Sequence, residues 1–233
     1  MNWLDEIDFC IKTYKRPKAL ERLLASIEKF YPGAQVTVNH GPCIAAGRNA
    51  MVAATKRPFL LMLDDDFIFT EETNIEPLYL ELQAEADAGV AGGVVMDLTE
   101  RGRIQRQSGG NAFIKGRAFY LTSRLRGMLS SKWCDIVPNF CLIRREVFET
   151  CRYRWGIGAE HGDFFLQVRD ADWRVLQRDD VRIDHDVSSP ADPGYKAARW
   201  ATGENILRFM DHWGIDRIVV NGSVVHSRPM ETV

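Results

Sequence analysis

Paired cysteines, long apolar runs and any sizeable net charge are all missing from this chain. Its five cysteines (Cys10, Cys43, Cys134, Cys141 and Cys151) form no Cys-x-x-Cys pair, are odd in number and sit among apolar neighbours. That excludes a disulfide-stapled scaffold and leads us to expect buried, reduced thiols. No apolar stretch approaches the ~20 residues of a membrane span; the longest candidate is Phe59 to Leu63. The opening Met1-Asn2-Trp3-Leu4-Asp5-Glu6 has neither the basic nor the apolar segment of a secretory leader, so a cytoplasmic location is expected. Thirty Lys plus Arg against 32 Asp plus Glu give a formal net charge of −2, so any basic surface must be local. Internal repeats, low-complexity tracts and a clear linker are also absent.

What is present is ordinary globular material. The 233 residues, 45% hydrophobic and 27% charged, suit one domain that buries well over half of its unfolded surface. Ile7 to Thr13 reads as an apolar strand. Pro17 opens a helix with Leu20, Leu23, Leu24 and Ile27 on one face, and Tyr31-Pro32-Gly33 stops it. Val36 to Val38 is a second strand and Ala45 to Thr55 an Ala-rich helix. Phe59 to Leu63 is apolar throughout, as a strand buried on both faces must be. A helix over Thr73 to Ala88 and a strand over Val90 to Met96 complete an alternation that predicts an α/β fold with a mostly parallel sheet between helices.

The second half is less regular. Residues 99 to 132 are polar and basic, with a hairpin expected near Ala112 to Thr122. Strands are expected over Cys134 to Ile143, Trp173 to Gln177 and Val181 to His185, and helices over Arg145 to Cys151, Ala159 to Arg169 and Pro193 to Trp213. Ile218 to Val225 is a hairpin by its Asn221-Gly222 turn.

Four groups of residues could carry chemistry. Asp64-Asp65-Asp66 follows the buried strand directly, and three adjacent carboxylates repel one another. Mg²⁺ or Mn²⁺ would relieve the repulsion and could bridge to substrate phosphates, and ligands of open α/β sheets bind at strand carboxyl ends; a solvated acidic turn is the plainer alternative. Trp155-Gly156-Ile157-Gly158 leads into a helix start bearing Glu160, His161 and Asp163. A carboxylate there could take a proton from an attacking hydroxyl, or could merely cap the helix. His185, between Asp184 and Asp186, could add an imidazole donor for Mn²⁺. Arg48 and Asn49, early in the Ala-rich helix, could meet phosphates or orient the acidic loop.

Ile7 to Tyr14, Leu23 to Ile27 and Phe30-Tyr31-Pro32 resemble the opening of GT-A fold nucleotide-sugar glycosyltransferases. Ala46-Gly47-Arg48-Asn49 and Leu63 to Thr70 are similar to the β-1,4-N-acetylgalactosaminyltransferase-like branch, near the family 2 transferases. Val90 to Val95, Asp135 to Phe140, His161 to Phe165 and Asp184-His185 continue the likeness in order.

The resemblance implies a Rossmann-like GT-A sheet with a small antiparallel acceptor-side subregion. It implies a nucleotide-sugar-binding half over 1–97, an acceptor-binding and catalytic half over 98–190, and a C-terminal helix and hairpin over 191–233. Asp64-Asp65-Asp66 would be the DXD motif, with Asp66 and His185 as ligands of Mn²⁺ or Mg²⁺ and Asp64 toward the nucleotide. Thr13, Arg48, Asn49 and Asp65 would complete the donor site. Asp163 ranks first as base by its Phe-Phe register, with Glu160 second and His161 in the same segment. Val38-Asn39-His40 stands where the family's second strand carries Asp, and a UDP-sugar is taken as the default donor.

The implied activity is metal-dependent transfer, with inversion, to an acceptor hydroxyl. Between 101 and 134 stand Arg101, Arg103, Arg106, Lys115, Arg117, Arg124, Arg126 and Lys132 with no acid, interleaved with Phe113, Phe119, Tyr120 and Trp133. This suggests either a glycan acceptor or modified DNA presenting a hydroxymethylated base. A non-catalytic sugar-nucleotide-binding module and a nucleotidyltransferase are the alternatives. Thr13-Tyr14-Lys15-Arg16-Pro17 lacks the Gly-rich loop usual in the latter.

Overall fold

The structure is a computed structural model and describes residues 2–123, 132–154, 159–188 and 202–228. It opens β1 (Ile7–Lys12), α1 (Pro17–Phe30), β2 (Gln35–Asn39), α2 (Ile44–Ala54) and β3 (Phe59–Asp64), close to what the sequence pattern predicts. Pro17 sits in the first turn of α1, where its missing N–H costs no hydrogen bond. Leu23 and Ile27, one turn apart, are the buried leucine–isoleucine stripe of that helix.

β1 and β3 pair in parallel, and both are buried on two faces. Alternate side chains therefore feed two cores. Ile7, Phe9, Ile11, Leu61 and Leu63 meet Leu23 and Ile27 on one face, while Cys10, Leu60 and Met62 join the core under Met51 on the other. The remaining elements are β4 (Phe67–Ile68), α3 (Glu76–Ala84), β5 (Ala88–Thr99), β6 (Gly102–Gln107), β7 (Gly110–Lys115), β8 (Ala118–Ser123), β9 (Trp133–Cys134), β10 (Cys141–Arg144), α4 (Glu160–Asp170), β11 (Arg174–Asp186), α5 (Thr202–His212), β12 (Arg217–Val220) and β13 (Ser223–Ser227). Among the described residues the main sheet runs β2-β1-β3-β10-β5-β11-β4, with β10 antiparallel to both neighbours and the other long strands parallel.

Several elements differ from expectation, each for a local reason. α3 starts later than Thr73, because the Tyr31 hydroxyl donates to Thr73 O (2.8 Å) and accepts from Ile75 N (3.0 Å), pinning that segment outside the helix. β5 is longer than expected and turns into β6, so its strand crosses the anticipated boundary between residues 97 and 98. The single strand expected over Cys134 to Ile143 is two strands, since the intervening segment with Pro138 leaves the ladder. Conversely, the two strands expected between Trp173 and His185 are one bulged strand, its register slipping between Gln177 and Arg182. The expected antiparallel subregion is a mixed sheet, β13-β12-β8-β7, because β12 pairs in parallel with β8. Its Asn221-Gly222 turn has both residues at positive φ (49° and 82°), as that dipeptide predicts. The start of the helix expected from Pro193 lies outside the described residues; its described part is α5. Among the described residues no helix is long and apolar enough to cross a membrane.

Gly92 on β5 is closely covered by Val137, from the segment between β9 and β10. A Cβ there would lie 2.4 Å from Val137 Cβ, an atom fixed by its own backbone. Gly92→Ala should therefore destabilise the protein by about 1–3 kcal/mol, read as a lower urea midpoint with an unchanged slope.

Candidate active site

Parallel strands deliver their carboxyl ends to one rim of the sheet: Thr13 after β1, His40 after β2, Asp64 to Asp66 after β3, Asp97 late in β5 and His185 late in β11. The three carboxylates after β3 have different surroundings. Asp65 is buried; it accepts from Thr13 Oγ1 (2.7 Å) and Arg16 Nη1 (2.8 Å). Burial nevertheless pushes its carboxyl up to about 6, against the pull of Thr13 and Arg16. Asp66 Oδ2 accepts from the same Arg16 nitrogen (2.8 Å) and lies 3.1 Å from His185 Nε2. Burial works against its charge too, but His185 and Arg16 outweigh burial and hold the Asp66 carboxyl down at about 2. The other ring nitrogen of His185, Nδ1, donates to Asp97 Oδ1 at 2.6 Å.

Asp64 points to a second group. Asn139 Nδ2 donates to both of its oxygens (3.2 and 3.1 Å), and Arg48 Nη2 lies 3.4 Å from Oδ1. Arg48 is buried in α2, with its guanidinium over the Tyr153 ring (5.0 Å) and Nη1 3.9 Å from Glu160. Burial opposes its charge, yet Tyr153, Asp64 and Glu160 raise its pKa. Glu160 is buried in the first turn of α4, where the helix dipole favours a carboxylate. Next to it, burial and then Arg48 lower the pKa of His161 to about 4. That imidazole is neutral near pH 7, so Nε2–H donates to Val137 O (2.8 Å), while the enclosed Nδ1 is a bare acceptor without a hydrogen bond.

Two expected site residues lie elsewhere. Asp163, first in rank as the base, has 0% exposure. It accepts from Arg154 Nε (2.9 Å) and Nη2 (2.7 Å), Gln167 Nε2 (2.8 Å) and Trp213 Nε1 (2.8 Å). With both oxygens held and 0% exposure, it joins α4 to the end of α5. Asn49 spends both ends of its amide on the Tyr153 backbone (2.8 and 3.0 Å), so it braces α2 instead of facing a ligand. Asp97 sits in no recognisable motif, and Arg16 carries no role in the sequence pattern beyond the loop after β1.

Asp66 Oδ2 and His185 Nε2 form a carboxylate–imidazole pair of the kind that suits Mn²⁺ or Mg²⁺. Among the described residues no group of three or more His, Cys, Asp or Glu is arranged to hold a metal ion. Arg16, which bonds Asp66, also lines a cavity of about 440 Å³ together with Thr13, Lys15, Pro17, Glu21, His40 and two leucines of α1. Lys15 holds a left-handed φ of 55°, a backbone strain of the sort concentrated at binding loops.

In the basic segment, three of the five described basic side chains are paired with acids. Arg103 pairs with Asp184 (2.6 Å) and Glu72, Arg117 with Asp216 (2.7 Å), and Lys132 with Glu81 and Glu85 (both 2.7 Å). Of its aromatics, Phe119 is core against Phe209, Phe113 stacks on Tyr120, and Trp133 lies under Arg174. Arg124, Arg126 and the side chain of Arg106 lie outside the described residues.

Residues 15–152 match the family model described as Glycosyl transferase family 2. The chain is 28% identical over 211 residues to Beta-1,4 N-acetylgalactosaminyltransferase 2 of Mus musculus, covering 79% of this chain and 40% of that protein. It is 27% identical over 209 residues to Beta-1,4 N-acetylgalactosaminyltransferase 1 of Homo sapiens, covering 77% and 38%. The chain thus spans about two fifths of the length of these relatives. The crystal structure of GalNAc-T7 with UDP, GalNAc and Mn²⁺ superposes with a TM-score of 0.58 over 77% of this chain and 43% of that chain, at 13% identity, a likeness of fold.

The surroundings of Asp163 make a stability prediction. Arg154→Ala leaves a fully buried carboxylate without its cation and should cost about 3–5 kcal/mol. Asp163→Asn should also lower the urea midpoint, because one acceptor oxygen becomes an NH₂ facing donors. Wild-type midpoints in both variants would show that Asp163 has no structural role.

Proposed function

The chain belongs to glycosyl transferase family 2, and from that membership we propose that it transfers a sugar from a nucleoside diphosphate to an acceptor hydroxyl, with inversion at the anomeric carbon. The observation that carries the reading is the convergence of Asp66 and His185, from distant points of the chain, with Arg16 joining Asp66 to the cavity at the ends of β1 and β2. That cavity has the size of a small-ligand pocket, and Thr13, Lys15, Arg16 and His40 give it polar groups for a nucleotide. UDP is the first nucleotide to test, and an N-acetylhexosamine the first sugar, in keeping with the names of the relatives.

Asp66 and His185 would hold Mn²⁺ or Mg²⁺, with diphosphate oxygens and water completing the shell. When bound, the ion supplies Lewis acidity toward the leaving diphosphate. Arg16 keeps Asp65 and Asp66 in place from the β1–α1 connection. Asn139 and Arg48 orient Asp64, which we assign to the nucleotide side. Glu160 replaces Asp163 as the proposed base. It stands at the start of α4 and reaches the acid cluster through Arg48. A carboxylate there accepts the proton of the attacking hydroxyl as oxygen adds to the anomeric carbon from the face opposite the diphosphate. His161, anchored to Val137 O, ranks behind it.

A glycan hydroxyl is the proposed acceptor. The modified-DNA alternative is second to it, because Arg103, Arg117 and Lys132 are paired with acids of the same chain. Formation of free UDP from a UDP-sugar and acceptor, in place of pyrophosphate, would separate this reading from a nucleotidyltransferase.

Two substitutions test the roles. Asp66→Ala should abolish Mn²⁺-dependent binding of UDP in calorimetric titrations while the protein stays folded; unchanged binding would remove Asp66 from the metal site. Glu160→Gln should lower turnover by ~10²–10⁴ with UDP affinity unchanged. Near-normal turnover in Glu160→Gln would overturn that assignment.

A further inference from the structure

His185 is held from both sides within the sheet. β11 lies between β5 and β4 near its end, and the residues directly opposite His185 are Asp97 on β5 and Phe67 on β4. Side chains of directly opposed residues share a face of the sheet. Phe67 meets the imidazole edge-on, with ring centroids 5.9 Å apart. Asp97 accepts from Nδ1 at 2.6 Å, a short charge-assisted bond. With Nδ1–H given to Asp97, Nε2 faces Asp66 Oδ2, 3.1 Å away, and the hydrogen it shares with Asp66 is the one a cation would displace. We propose that Asp97 is a positioning residue for the cation site: its carboxylate sets the tautomer and the ring orientation of His185 so that the Nε2 lone pair is presented together with Asp66 to a divalent cation.

The proposal rests on the reading of Asp66 and His185 as metal ligands and adds a residue that touches neither cation nor substrate. Its physical basis is that a ligating imidazole needs one nitrogen bare. A carboxylate on the other nitrogen keeps the proton there, fixes the ring plane and raises ligand basicity; loss of such a partner commonly weakens metal binding by about 10–100-fold. The β5–β11 pairing is what sets this arrangement. Asp97 and His185 are in register only because the bulge after Gln177 has already shifted β11 against β5.

The test titrates Mn²⁺ into wild type, Asp97→Ala, Asp97→Asn and His185→Ala, each with UDP present, following free Mn²⁺ by electron paramagnetic resonance. Circular dichroism melts monitor folding. Wild type should bind Mn²⁺, His185→Ala should lose most of that affinity, and Asp97→Ala should weaken it by about 10–100-fold. Asp97→Asn, which keeps an acceptor oxygen without the charge, should fall between wild type and Asp97→Ala. A proton spectrum of the metal-free protein gives an independent readout: a low-field imidazole N–H resonance present in wild type and lost in both Asp97→Ala and His185→Ala. Asp97→Ala with wild-type Mn²⁺ affinity alongside a defective His185→Ala would overturn the role of Asp97 and leave the metal reading standing. So would the absence of the low-field proton from wild type. Wild-type affinity in His185→Ala, or no Mn²⁺ binding by wild type, would overturn the metal reading and this proposal with it.

Discussion

Three consecutive carboxylates at the end of a strand buried on both faces are the constraint around which the rim of this molecule is built. β3 is apolar because a packed core covers each of its faces, and Asp64, Asp65 and Asp66 emerge where that cover ends. Like charges so close together cannot all stay ionised without compensation. The fold brings it from three directions: Thr13 and Arg16 from the β1–α1 connection, Arg48 and Asn139 to Asp64, and His185 from the last long strand. Asp65 becomes an internal brace, while Asp64 and Asp66 are aimed at two different places. One acidic motif thus yields one structural and two candidate functional carboxylates.

A comparable division occurs in the first turn of α4. Glu160 and Asp163 are three residues apart, close neighbours on a helix surface. Glu160 is directed to Arg48 and the acid cluster, whereas Asp163 is directed to Arg154, Gln167 and Trp213. The partners explain the difference. A bidentate guanidinium, an amide and an indole N–H satisfy Asp163 completely, which is how a charge at 0% exposure is tolerated. Glu160 has a longer-range ion pair to a guanidinium that also serves Asp64, so the same arginine links the proposed base to the proposed nucleotide side.

Much of the fold was legible because local rules and tertiary packing agree. Pro17 opens α1, the apolar run at Phe59 is a doubly buried strand, and Asn221-Gly222 turns a hairpin with both residues at positive φ. The polar stretch after Thr99 hid β6, since an edge strand needs few apolar residues and leaves little periodicity to read. The break between β9 and β10, and the continuity of β11 across its bulge, depend on what neighbouring strands supply as hydrogen-bond partners.

For the candidate site, the sequence by itself determined the chemical types and the order in which they occur: an acid triplet after a buried strand, an acidic helix start, and a histidine ending a late strand. Each is a local pattern, and local backbone geometry suffices to place it at the end of its own element. Only the tertiary structure decided which of these groups share a partner. Asp163 lies nine residues from Arg154 and fifty from Trp213, Asp97 lies 88 from His185, and Arg16 lies 50 from Asp66. Contacts over such separations are set by strand order, register and one bulge, because hydrogen bonding and ion pairing depend on distances of a few ångströms that no spacing along the chain encodes.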